Sequence, residues 1–302
     1  MKLKRNILLA TTLIGSLTST NIYASSIIME GDYVKTALSD DGTLGYGGLT
    51  SPGIIHDVTG TGDFTINDYL TPGNPHEGFS ISSDQTGIIS NNNAYSSDSI
   101  TGILTDTTSS TVFDQSVNFT GTYSSLFTIS TDTYFNDGDQ RINMSTTITA
   151  LDDLTSLMFS RWLDPDPDVD TYGTFATDNG RGTSSLAPED WVYAQGNYTG
   201  LTIGLYSESD ITHNTGISSA WSIDPSYYLT GNNNGNGDYA IGLGFDIGDL
   251  LASESVTFEY SYVMGENIDS VDIPTTSVPA PSTLAMLGLC LAGFGFSRKS
   301  KK

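Results

Sequence analysis

Basic side chains are scarce in this chain of 302 residues, which has 11 lysines and arginines against 35 aspartates and glutamates and a formal net charge of −24. Only four of the basic residues lie in residues 25–273, which hold every acidic one. Nucleic acids are bound mainly through clusters of Lys and Arg on their phosphates. The sequence therefore excludes an electrostatic nucleic-acid interface and predicts an acidic, soluble central segment.

Cysteine is almost absent, and the single one, Cys290, lies near the C-terminus. The central segment consequently has no disulfide and no thiol chemistry. A zinc site built on cysteines is excluded as well, because such sites need several at set spacings. We expect the stability of this segment to come from apolar burial, with bound cations as a further source.

The central segment also lacks a sustained helical period of apolar residues, and two-residue alternation recurs instead. It predicts strands at 125–130, 141–149, 201–206, 239–245 and 255–262. The 16 Tyr, 12 Phe and 3 Trp can build a core. We predict an all-β fold, an antiparallel β-sandwich over residues 25–273. Asp137-Gly138 predicts a hairpin turn with positive φ angles, and the Asn/Ser-rich stretch 82–110 predicts a loop.

The N-terminus has the three parts of a secretory signal peptide. Residues 1–5 are basic, residues 6–17 are mostly apolar, and small or polar residues lead to Ala24. We predict a signal peptide over residues 1–24, cleaved after Ala24, and hence the secretion machinery as a partner. The apolar part is shorter than the roughly 20 residues of a membrane span.

The C-terminal tail, residues 274–302, combines a proline-rich joint, an apolar stretch at 284–296 and a basic end. This order predicts a single transmembrane helix near the lower length limit for spanning, with its basic end on the cytoplasmic side. The marginal length favours a temporary membrane anchor, and an ordinary, permanent anchor is the alternative.

The tail resembles the PEP-CTERM sorting tails of Gram-negative bacteria through Val278, Pro279 and Pro281, the Gly- and Leu-rich helix and the basic end. Ala280 stands where the family usually has Glu. The resemblance implies an exported protein that is held at the inner membrane in transit, processed by an exosortase and then placed at the cell surface or outside the cell. It covers about the last 25 residues.

Residues 127–168 resemble stretches of the galactose-mutarotase-like supersandwich domains. The shared features are a strand, an Asp-Gly turn, a Thr-rich strand, a short turn and the run Arg161-Trp162-Leu163-Asp164. The resemblance implies a large sandwich of a kind that often handles carbohydrate. It contains no strict motif and implies no reaction.

The densest candidate site is the acidic run Asp164, Asp166, Asp168 and Asp170, in which Pro165 and Pro167 separate the first three carboxylates. Calcium prefers oxygen ligands, so these residues are a candidate calcium site. The prolines keep the run extended and prevent an EF-hand-like loop. The sequence favours a solvated acidic loop over this calcium site.

Other candidate sites have less sequence support. Trp162, Trp191 and Trp221 are candidate faces for glycan binding, although aromatic side chains mostly fill cores. His56, His76 and His213 lie in no nucleophile or metalloprotease motif.

The sequence therefore predicts first a non-enzymatic, exported protein of the cell surface or extracellular matrix. A carbohydrate-binding or adhesin sandwich and a glycan-active enzyme are the alternatives. An exposed aromatic patch would favour binding of surface glycans. A cleft holding two carboxylates with a His or Arg161 would favour catalysis.

Overall fold

The computed structural model describes residues 26–46, 50–74, 76–93 and 99–274. Strands make up most of its regular structure, with two short α-helices, α1 (Val169–Tyr172) and α2 (Pro225–Leu229). The strands are β1 (Ile27–Glu30), β2 (Val34–Leu38), β3 (Ile54–His56), β4 (Glu77–Ser83), β5 (Gly87–Asn92), β6 (Thr101–Asp106), β7 (Gln115–Tyr123), β8 (Phe127–Phe135), β9 (Arg141–Ala150), β10 (Leu154–Leu163), β11 (Thr177–Arg181), β12 (Trp191–Gly196), β13 (Thr202–Tyr206), β14 (His213–Ser218), β15 (Ala240–Leu250) and β16 (Ser255–Gly265).

These strands form three sheets, ordered β1-β2-β3, β14-β15-β10-β4-β5 and β11-β12-β13-β16-β9-β8-β7-β6. Every pairing between these strands is antiparallel. The alternation that predicted the strands is visible in β8, where buried and partly exposed residues alternate along most of its length. The predicted antiparallel β-rich fold is confirmed.

The five-stranded and eight-stranded sheets face each other across one apolar core. Phe159 on β10 packs against Phe258 on β16 with ring centroids 5.0 Å apart, and Phe245 on β15 lies 4.5 Å from the same ring. The three-stranded sheet adds Val34 and Leu38 to this core. Burial of aromatic rings between the two sheets therefore stabilises this part of the chain, which has no cysteine to form a disulfide.

Strand β10 occupies the centre of the five-stranded sheet, between β15 and β4. Successive side chains of a strand point to opposite faces. Arg161 points into the space between the sheets, where it reaches Tyr262 on β16. Trp162 takes the other face, on which α2 packs through Tyr228. The acidic run starts where β10 ends, at Leu163.

Two local predictions are corrected by the structure. The hairpin between β8 and β9 lies at residues 136–139, but neither Asp137 nor Gly138 has a positive φ, so the turn is not of the primed type. Asp139 instead stabilises it by accepting a hydrogen bond from the Asn136 amide at 2.9 Å. The stretch 82–110 also contains β5 and β6, because pairing with β4 and β7 outweighs its weak local strand propensity.

Within the part of the chain that the structure describes, no helix is long and apolar enough to cross a membrane. The predicted signal peptide with its cleavage site at Ala24 lies outside the described residues, as does the predicted tail helix at 284–296.

Candidate acidic site

The acidic run leaves β10 as an extended segment held by backbone hydrogen bonds. The Asp164 amide donates to the His76 carbonyl at 2.7 Å, and the Asp166 amide donates to the Tyr69 carbonyl at 2.9 Å. Pro165 and Pro167 favour the same extended backbone. Because side chains alternate along an extended segment, Asp164 and Asp166 point to the same side of it. Both are buried, with exposures of 3% and 4%.

Asp164 and Asp166 meet Asp238, which lies on the segment before β15. One carboxylate oxygen from each of the three residues lies within 4.8 Å of the others. Asp238 is exposed, and its backbone carbonyl accepts a hydrogen bond from Trp221 Nε1 at 3.2 Å. We call these three residues the acidic triad. Among the described residues, no Lys, Arg or His forms an ion pair with any of its members.

Burial and mutual repulsion shift the ionisation of the triad. Burial and the neighbouring Asp238 charge raise the pKa of Asp164 to about 8. Burial and the charges of Asp164 and Asp238 raise the pKa of Asp166 to about 9. Loss of hydration also raises the pKa of Asp238, although its hydrogen bond with Asp164 opposes that shift. Close carboxylates cannot all ionise without a compensating charge, so the triad favours a bound proton or cation.

The other two members of the predicted calcium set lie elsewhere. Asp168 is fully buried, and its carboxylate accepts hydrogen bonds from the Tyr198 amide, the Thr199 amide and Thr199 Oγ1 at 2.9, 2.9 and 2.6 Å. Asp170 accepts from the Asp68 amide at 2.9 Å. The structure therefore separates the run into two triad members and two carboxylates that stabilise neighbouring turns.

An aromatic stack lies beside the start of the acidic run. The His76 ring stacks on Trp162 with centroids 4.2 Å apart and lies 5.4 Å from the Trp221 ring. Burial lowers the pKa of His76 to about 4, so its ring is neutral at pH 7. Its Nε2 has no hydrogen-bond partner among the described residues.

The candidate tryptophans differ in exposure. Trp162 and Trp191 are fully buried, and neither presents a ring face to a ligand. Trp162 packs against Gly78 and Trp191 against Gly204, each on the neighbouring strand. Trp221 is partly exposed. Of the three predicted residues, only Trp221 is therefore available at the surface.

A different pair of aromatic residues is exposed beside the end of the acidic run. Tyr172, at the end of α1, and Tyr198, in the turn between β12 and β13, are 55% and 67% exposed and stack with centroids 5.0 Å apart. The Asp168 carboxylate holds this turn by accepting a hydrogen bond from the Tyr198 amide. Phe175 is also exposed and adjoins Gly73, which in turn lies near Asp166. We call Tyr172, Phe175 and Tyr198 the aromatic patch.

The remaining candidate residues have structural partners. His56 is buried between the Tyr69 hydroxyl and Gln140 Oε1, both at 2.9 Å. His213 lies 3.0 Å from an Asp190 carboxylate oxygen. Arg161 pairs with Glu77 inside the core and is not exposed. The structure does not bring these three residues to the acidic triad.

Sequence reasoning missed Asp238, which follows a Gly/Asn-rich run that resembles an ordinary loop. No local spacing connects it to Asp164, because the contact depends on how β15 pairs with β10. The one indication in the sequence was that Asp238 directly precedes the predicted strand 239–245.

The described fold is similar to parts of larger solved proteins. A bacterial glucoamylase complexed with acarbose aligns with a TM-score of 0.50 and 12% identity over 88% of this chain and 35% of that chain. A putative kojibiose phosphorylase from human microbiome aligns with a TM-score of 0.41 and 9% identity over 90% of this chain and 34% of that chain. The chain spans about a third of the length of these proteins. At such identity the glucoamylase match indicates the fold alone.

A comparison with curated proteins found no match. Residues 277–299, outside the described part of the chain, match the PEP-CTERM protein-sorting motif. This match confirms the predicted sorting tail. The motif implies an exported protein that is anchored to the membrane in transit and processed by exosortase-like machinery.

Proposed function

We propose that this chain is a non-enzymatic protein of the cell surface or extracellular matrix of a Gram-negative bacterium. In this proposal a signal peptide, residues 1–24, directs export of a β-sandwich, residues 25–273, and the tail, residues 274–302, anchors it as a single transmembrane helix until processing. The observation that carries the proposal is the sorting motif at residues 277–299. The negative charge of the sandwich supports solubility outside the cell.

The geometry of the acidic triad supports binding over glycoside hydrolysis. Glycosidases generally use two carboxyl groups about 5 to 9.5 Å apart, so that a sugar bond and a nucleophile fit between them. The nearest oxygens of the triad lie within 4.8 Å of one another, and two of its three side chains are buried. This spacing suits a shared ion better than a sugar ring.

Fractionation of cells that express the full chain tests the proposal. We expect the sandwich at the surface or in the medium of a strain with an exosortase, and in the inner-membrane fraction of the same strain without it. A chain that ends at Pro274 should be exported without membrane retention in both strains. Equal distribution of the full chain in the two strains, or its retention in the cytoplasm, would contradict the proposal.

Carbohydrate binding is a second candidate, favoured by the exposed stacked pair Tyr172 and Tyr198. Exposed aromatic faces can pack against the apolar face of a sugar, and pre-ordering of the turn reduces the entropy lost on binding. Affinity electrophoresis in gels that contain surface polysaccharide should show retardation of the wild type and loss of retardation in Tyr198→Ala. Tyr46→Ala, which removes another exposed tyrosine, is the matched control. Equal mobility of all three with and without polysaccharide would rule out this role.

A further inference from the structure

The buried part of the acidic triad contains polar atoms whose bonding is incomplete. Asp164 and Asp166 are almost completely buried, with only 3% and 4% of their surface exposed. In each, Oδ1 has no hydrogen-bond partner among the described residues. Buried polar oxygens almost always have a hydrogen-bond partner, because an unpaired one loses its hydration without compensation. These two atoms belong to the same carboxyl groups that converge with Asp238.

We propose that Asp164, Asp166 and Asp238 bind a divalent cation of the calcium type. The group consists of oxygen donors only, which matches the hard cations Ca²⁺ and Mg²⁺ rather than zinc or copper, whose sites use nitrogen or sulfur. Calcium also accepts the irregular geometry and mixed carboxylate, carbonyl and water ligands that such a site provides. This site replaces the one that spacing alone suggested, because Asp168 and Asp170 are already hydrogen-bonded to backbone amides.

Two of the three ligands are positioned in advance. The backbone bonds from Asp164 to His76 and from Asp166 to Tyr69 hold the extended segment at the end of β10. The third ligand lies on the segment before β15 and is held through Trp221. A cation therefore joins the end of β10 to the start of its neighbour in the sheet, and its binding stabilises the native state in proportion to the free metal concentration.

The test uses the full chain, purified in detergent and stripped with EDTA. Thermal unfolding is followed in EDTA, in Ca²⁺ and in Mg²⁺ at matched ionic strength. A calcium concentration of about 100 Kd adds about 2.7 kcal/mol of stability, so a rise in Tm of roughly 5–10 °C is expected for a domain of this size. Tb³⁺ emission excited through tryptophan, and displaced by Ca²⁺, reports direct binding.

Asp166→Asn and Asp238→Asn remove one ligand charge each while keeping the shape of the side chain. We expect both to lose the calcium-dependent rise and the Tb³⁺ emission. Asp166→Asn should melt in EDTA at or above the wild-type temperature, because the amide keeps the shape of the side chain and removes one of three mutually repelling carboxyl groups. Retention of this EDTA stability shows that the variant is folded. Asp210→Asn, an exposed control between β13 and β14, should behave as the wild type.

Either of two results would overturn the site: no rise of the wild-type Tm in calcium and no Tb³⁺ emission, or an equal calcium-dependent rise in Asp166→Asn. The assay uses purified protein and measures neither export nor processing. Its failure therefore leaves the proposed surface role open, and failure of that role leaves the cation site open.

Discussion

At the scale of single residues, carboxylates bound by several donors differ sharply from the acidic triad. Asp57 is buried and accepts hydrogen bonds from the amides of Thr59, Thr61 and Asp63 at 2.9, 2.8 and 3.0 Å. Burial alone would raise the pKa of Asp57, but a hydrogen bond from the Thr59 hydroxyl and these amide bonds outweigh it and lower the pKa below its ordinary value. The same residue type thus stabilises one loop as an anion and, in the triad, favours a proton or a cation.

Asp57→Asn should destabilise the protein by about 1–2 kcal/mol at pH 7. The NH2 group of the asparagine would replace one carboxylate oxygen and would face backbone N–H groups, from which it cannot accept a hydrogen bond. A lowered carboxylate pKa contributes stability that is complete above the unfolded-state pKa of about 3.9 and is lost as the pH falls through the folded-state value. Urea unfolding between pH 7 and pH 3 should therefore show the difference between wild type and variant shrinking below about pH 4.

Asp210→Asn serves as the control for this titration because Asp210 is exposed. A difference between wild type and Asp57→Asn that stays constant down to pH 3 would show that the Asp57 charge does not stabilise the loop.

At the scale of the strands, one buried ion pair lies between neighbouring strands of the five-stranded sheet, and Tyr262 links it to the facing sheet. Arg161 on β10 lies 2.5 Å from Glu77 Oε1 on β4, and the Tyr262 hydroxyl on β16 donates to the same oxygen at 2.5 Å. The Leu44 amide donates to Glu77 Oε2 at 2.6 Å. Burial raises the pKa of Glu77 and the Arg161 charge opposes that shift. Both charges are therefore buried but paired, and removing only one of them would leave the other without a partner.

Arg161→Leu should destabilise the fold by about 3–5 kcal/mol, because it leaves the Glu77 carboxylate buried without its cation. The double variant Glu77→Leu with Arg161→Leu should cost less than the sum of the two single changes, since neither charge is then left alone. Equilibrium urea denaturation at pH 7 measures all three.

Lys35→Met provides the comparison on the surface, where Lys35 pairs with Glu30 at 2.7 Å and both side chains are partly exposed. We expect a loss below about 1 kcal/mol there. A loss of similar size in Arg161→Leu would mean that the core pair is solvated in solution.

At the scale of the whole molecule, the acidic, β-rich part of the chain is followed by a sorting motif that implies export. The sorting motif at residues 277–299 implies processing, and Ala280 occupies the position between Pro279 and Pro281 where PEP-CTERM tails usually have Glu. Because a carboxylate at this position adds a charge that a processing enzyme can recognise, this one residue is a direct test of processing efficiency.

Ala280→Glu should increase the fraction of processed chain in cells that contain an exosortase. Pulse-labelling followed by gel electrophoresis measures the ratio of processed to full-length protein. Ala280→Gln, with the same size but no charge, controls for shape. Equal ratios in all three chains would show that position 280 does not limit processing.

The properties that depend on local pattern and composition follow directly from the sequence. Apolar alternation determined the β-rich class and the positions of strands such as β9 and β16, and the motif around Val278 determined the sorting tail. Each of these signals lies within about 25 consecutive residues, and what produces it, a half-buried strand or a short sequence motif, is itself local.

Which distant residues meet depends instead on the packing of the whole fold. The pairing of β10 with β15 brings Asp238 to Asp164, and the packing of β10 against β16 buries Arg161 beside Glu77 and Tyr262. Strand order is set by the free energy of the whole core, in which aromatic packing between sheets outweighs local preference. For that reason the acidic run appeared in sequence as one site of four carboxylates, whereas the fold assigns two of them to backbone turns and joins the other two to Asp238.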